Sequence, residues 1–90
     1  MLLRPLGAKF AGTGVLIRMN GSVFGGALVS SDSVNAVTVT ISDKKTGEII
    51  FDVTSLQPMF FCAPIQCGGN ELLATCSGTG GIVQLFEWVN

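Results

Sequence analysis

The chain contains no histidine and no tyrosine, and charged residues fill only 12% of its 90 positions. Without histidine it lacks the commonest metal ligand and the commonest general base together. Soluble domains usually carry about 25% charged residues. A small domain has much surface for its volume, so this one must build its exterior from Ser, Thr, Asn, Gln, Gly and apolar groups. A free monomer usually carries more charge for solubility. The shortage reads as surface covered by other subunits, with a neutral, simply soluble β-domain as the alternative. The net charge is −1 and there are only five Lys and Arg residues. Nucleic acid is therefore not expected as a partner, because phosphate binding needs concentrated cations. Arg4, Lys9 and Arg18 lie near the N-terminus, a mild asymmetry and not a basic arm.

Cysteines are few. Cys62, Cys67 and Cys76 are three in number and show no CxxC spacing. Without histidine, a zinc site usually needs four thiolates, which one chain does not have. Cys62 and Cys67 can pair across a bend, but scattered cysteines more often serve as small buried hydrophobes. Long apolar runs are missing as well. The opening MLLRPLGAKF lacks a signal-peptide core, being interrupted by Pro5 and Gly7. No stretch is long enough to span a bilayer. The expectation is synthesis in a cytoplasm without membrane insertion. Helical periodicity with caps is absent throughout.

What is present is β patterning. Val37, Val39 and Ile41 alternate with Thr38, Thr40 and Ser42, while Ile49, Phe51 and Val53 alternate with Glu48, Ile50 and Asp52. This period of two marks strands with one buried face. The polar tip Asp43–Gly47 joins them, so residues 34–54 predict a hairpin. Before it, Leu2–Phe10 predicts an extended N-terminal arm or edge strand, broken by Ala11-Gly12-Thr13-Gly14. Val15–Met19 predicts a strand, followed by the turn signal Asn20-Gly21. Val23–Ser30 comes next, either as its hairpin partner or as a strand crossing to a second sheet, with Gly25-Gly26 marking a bulge. Met59–Cys67 predicts a strand that kinks or runs along an edge because of Pro64. Leu72–Ser77 and Ile82–Val89 complete the set, joined by Gly78-Thr79-Gly80-Gly81. Short strands at such spacing indicate one all-β domain over residues 1–90, with an arm of about residues 1–13. The expected architecture is a single antiparallel, jelly-roll-like β-sandwich of seven or eight strands.

Chemistry is harder to find. Gly78-x-Gly80-Gly81 is not followed by the helix that a phosphate loop requires, and it reads as a hairpin turn. The six carboxylates lie mostly in turns or on outward strand phases, where solvation is the default. They form neither a calcium-type cluster nor an evident acid pair. A thiol nucleophile would lack its histidine base. The reading is a non-enzyme with no catalytic, cofactor-binding or metal-binding residues.

The last strand is more informative. Val83, Leu85 and Val89 share one phase, and Ile82, Phe86 and Trp88 share the other. Both faces are thus apolar, interrupted only by Gln84 and Glu87, whereas a strand with one wet face should alternate cleanly. Phe60 and Phe61, adjacent and so on opposite faces, repeat the pattern. Ninety residues without helices leave little material for a third layer. The interface candidates are therefore Phe86, Trp88, Ile82, Phe60 and Phe61, with Leu2 and Leu3 of the arm. The alternative for Trp88 is packing against the arm of its own chain.

Residues 14–89, with GALVSSDSVNAVTVTISDKKTGEIIFDVT followed later by ELLATCSGTGGIVQLFEWV, resemble the small all-β virion structural proteins of tailed bacteriophages. The resemblance implies a capsid decoration or cement protein, or an accessory piece of tail or fibre, located in the virion. It implies partners among the major capsid protein and other virion proteins, and a homo-oligomer with a trimer favoured. It transfers no catalytic or ligand residues. The rival expectation is a receptor- or carbohydrate-binding module on a tail or head fibre, using Trp88 or the loops at one end of the sandwich.

Overall fold

Alternating residues decide the strands. Val37, Val39 and Ile41 are fully buried while Thr38, Thr40 and Ser42 between them are half-buried. The computed structural model describes residues 2–90, apart from the side chain of Ala63. Eight strands form: β1 (Leu2–Phe10), β2 (Gly12–Arg18), β3 (Val23–Ser30), β4 (Val37–Asp43), β5 (Ile49–Ser55), β6 (Met59–Gln66), β7 (Glu71–Ser77) and β8 (Ile82–Val89).

They make two four-stranded antiparallel sheets, in the orders β1-β8-β3-β6 and β2-β7-β4-β5. Only β4 and β5 follow each other within one sheet; every other connection crosses between sheets. This is the double Greek key of a jelly roll. The core between the sheets is filled by Phe24, Ala27 and Val29 of β3, Val83 and Leu85 of β8, the β4 aliphatics, and Leu72, Ala74 and Cys76 of β7. Phe51 bridges the layers at one side, with ring centroids 5.8 Å from Phe24 and 5.6 Å from Phe61.

The expected arm spans residues 1–13, of which Met1 lies outside the described residues. Leu2–Phe10 forms the edge strand β1, paired with β8 of its own domain. The break expected at Ala11–Gly14 is confined to Ala11, and β2 already begins at Gly12. Gly12 and Gly14 take positive φ, and the register against β7 shifts between Gly12 and Val15. The glycines bend the strand instead of ending it.

Two other expectations are corrected. Gly78–Gly81 is not a hairpin turn, because it carries the chain from β7 in one sheet to β8 in the other. Gly78 has φ +120°, and a Cβ there would run into the carbonyl oxygen of Ala36. In β5 the expected phase fails at one residue. Ile41 pairs with Phe51 but Ser42 pairs with Ile49, so Ile50 is the extra residue of a β-bulge. Ile50 therefore packs on the core with Phe51 and Val53, while Ile49 is left 64% exposed.

Candidate functional site: the outer face of one sheet

The outer face of the β1-β8-β3-β6 sheet is assembled by strict alternation. On β8 the side opposite Val83 and Leu85 presents Ile82, Gln84, Phe86 and Trp88. β3 adds Leu28, paired with Gln84 on one side and Phe60 on the other. β6 adds Phe60 and the exposed Cys62, and β1 adds Leu3 and Pro5 beside Trp88 and Phe86. Phe60 and Phe86, in register with Leu28 and Gly26 respectively, meet edge-to-face across β3, with centroids 5.4 Å apart. Among the described residues, the one charged side chain that alternation places on this face is Lys9, at the β1 edge beside the inward Phe10.

Glycines shape its middle. The register of β3 against β8 shifts between Phe24 and Gly26, which makes Gly25 the bulge residue. A Cβ on Gly25 would occupy the position of the Leu3 Cδ1 methyl, so Leu3 reaches across β8 and fills the space. Gly26 takes φ +141°, and a Cβ there would meet the carbonyl oxygen of Phe61.

Of the candidates named from sequence, Phe86, Trp88, Ile82, Phe60 and Leu3 converge on this one face. Phe61 turns inward onto Phe51. Leu2 is on the inward phase of β1 but at the rim, where it stays exposed. Trp88 is half-buried between its register neighbours Leu3 and Val23, and its indole N–H is buried without a hydrogen-bond partner. Leu28 is the member that sequence reasoning missed. Its signal was available, since it alternates with the buried Ala27 and Val29.

The opposite sheet is chemically different outside. Thr38 and Thr54 share a hydrogen bond of 2.9 Å, and the Thr40 hydroxyl donates to Asp52 at 3.3 Å. Thr75 and Ser42 continue the hydroxyl surface, and Arg18 pairs with Glu71 at 3.1 Å. Leu16 and Leu73, register partners, are a small apolar island within it.

The carboxylates hold the corners of the sandwich. Glu87 is fully buried, an exception to the solvation expected of most of the carboxylates. Its Oε1 accepts the backbone N–H groups of Asn20 at 2.9 Å and Gly21 at 3.4 Å, and Oε2 accepts the Asn20 amide. Asp43 is likewise buried, and accepts the N–H groups of Lys45 and Gly68. Burial acts to raise its pKa, but backbone donors led by Gly68 and Lys45 outweigh it and the net shift is downward. Asp32 is exposed and caps its own loop through Val34 and Asn35, both at 2.8 Å, which also lowers its pKa. These acids are structural fasteners.

The remaining chemistry is sparse. Cys62, Cys67 and Cys76 are free thiols, and burial pushes the Cys67 and Cys76 thiols up in pKa. Among the described residues, no group of three or more His, Cys, Asp or Glu side chains is placed to hold a metal ion. An open hollow of about 390 Å³ lies at one end, bordered by Arg4, Asn20, Ser22, Trp88 and Asn90. A second, of about 310 Å³, lies beside Lys44, Lys45 and Glu71. Compared with protein-family models, curated proteins and solved structures, the chain matches none.

Proposed function

We propose that this protein is a non-enzymatic structural component of a phage virion, a decoration or cement subunit that works by burying one sheet face against its neighbours. The observation that carries the reading is the aromatic outer face of β1-β8-β3-β6, charged only at Lys9 on its β1 edge, set against a hydroxylated face on the other sheet. A contiguous exposed apolar patch marks an interaction surface. Jelly rolls serve both viral capsids and lectins, so the fold alone does not choose between them. Eight residues of strand by four strands give a face of about 500 Å². At about 25 cal/mol per Å² of apolar area its burial contributes at most about 12 kcal/mol gross, comparable with the cost of association. One such contact is marginal, and a symmetric shell makes it effective by repetition.

The test is incubation with undecorated capsids of the cognate phage. Stoichiometric binding that raises the heat resistance of the particle is expected, and loss of that binding in Ile82→Lys. A protein that ignores capsids and binds cell-surface glycans sinks the proposal. That outcome would favour the second reading, a carbohydrate-binding module, which is supported by the hollow beside Trp88, Asn20 and Ser22.

A further inference from the structure

We infer that the occupant of the apolar face is a second copy of this chain, packed face to face about a two-fold axis. The inference rests on the reading above only in taking that face to be a buried contact surface. It differs from the trimer that the family resemblance implies.

Three features point to a self-contact. The β8, β3 and β6 strands of the face present no charged side chain, and its one charge, Lys9, sits on the edge strand β1. Bringing the centre of the face against itself therefore sets no like charges together, and it offers no charge pattern to select a charged partner. Its area of about 500 Å² per copy totals about 1,000 Å² in a dimer, the lower bound for a specific interface. The edges of the same sheet are also guarded. β1 carries Pro5 and a register irregularity between Leu6 and Phe10, and β6 carries Pro64 opposite the Gly25 bulge. Proline and bulges deny strand addition, so edge-to-edge association is blocked and face stacking remains. Two such faces meet as the two sheets within the domain do, at about 10 Å. The Phe60–Phe86 pair and Leu28 lie in the contact, with Ile82 and Trp88 toward its two ends along β8. The dimer is a weak, reversible one, given its size.

The experiment is sedimentation equilibrium of the isolated protein over a wide concentration range, with Trp88 emission as a second readout. Trp88 is the only tryptophan and there is no tyrosine, so the signal reports this face alone. A concentration-dependent dimer of the 9.4 kDa chain is expected, with Trp88 emission shifting to the red on dilution. Leu28→Lys and Ile82→Lys should each lower the association constant at least tenfold. Leu73→Lys is the matched control: Leu73 is 39% exposed against 38% for Leu28, but lies on the other sheet. It should leave the dimer intact. A wild-type chain that stays monomeric with constant Trp88 emission overturns the inference, as does equal loss of dimer in Leu73→Lys. A monomer that binds capsids through Leu28 and Ile82 overturns the dimer and leaves the virion role standing. A dimer that ignores capsids supports the dimer and removes the virion role.

Discussion

Glu87 and Asn20 are 67 residues apart in sequence, yet the Glu87 carboxylate accepts both the backbone N–H of Asn20, at 2.9 Å, and its side-chain amide. The contact ties the last strand to the corner where the chain passes from one sheet to the other. The corner's N–H groups cannot join a ladder there, and a buried carboxylate supplies the missing acceptor. Replacing Glu87 with Ala should cost about 2 kcal/mol, since hydrogen bonds to a charged acceptor are lost. For a domain of this size that is about 10 °C in Tm, measurable by circular dichroism. An unchanged Tm would mean that water satisfies the corner equally well.

The β5 bulge makes adjacent isoleucines unequal. Ile49→Thr should change stability by less than about 0.5 kcal/mol, as an exposed substitution does. Ile50→Thr removes a side chain packed on the core and should cost about 1–2 kcal/mol. Urea denaturation of the two variants compares them directly. A larger loss in Ile49→Thr than in Ile50→Thr would restore the uninterrupted alternation expected from sequence, and equal effects would remove the bulge as the cause of any difference.

Acid should weaken the fold in a defined direction. The pKa values of Asp43 and Asp32 are both lowered from 3.8 in the folded protein. Each carboxylate therefore adds stability that is fully present above pH 3.8 and is lost as pH falls through its folded value. The urea midpoint should drop as pH is lowered below about 4. In the Asp32→Asn, Asp43→Asn double variant that drop should be visibly shallower. An unaltered acid profile in the variant would remove both groups from the account.

The three thiols should react in two classes. Cys62 is exposed, whereas Cys67 and Cys76 are buried with raised pKa values. A thiol reagent at neutral pH should label one cysteine in the native protein and all three after denaturation. Mass spectrometry of the labelled peptides identifies which. Native labelling of Cys76 would contradict its place in the core.

Sequence by itself determined the strands, because period-two alternation is a local property. The fully buried phase of β4 and the two apolar phases of β8 can be read directly from residues 37–43 and 82–89. It also determined most of the apolar face, since alternation assigns Phe60 and Phe61 to opposite sides without further information. Only the tertiary structure decided which strands pair. Gly78–Gly81 and Asn20-Gly21 look like hairpin turns, yet both cross between sheets, because a turn's composition reports the bend and not its destination. The bulge at Ile50 was equally hidden, as was the partner that lets Glu87 stay buried on the Val83–Leu85 phase. Each depends on a partner outside its own strand, Ile41 and Ser42 across the hairpin for the bulge and the distant Asn20 for the acid. Leu28 divides between the two: alternation with Ala27 and Val29 set its side of β3, but its neighbours Gln84 and Phe60 come from two strands that only the fold brings to either side of it.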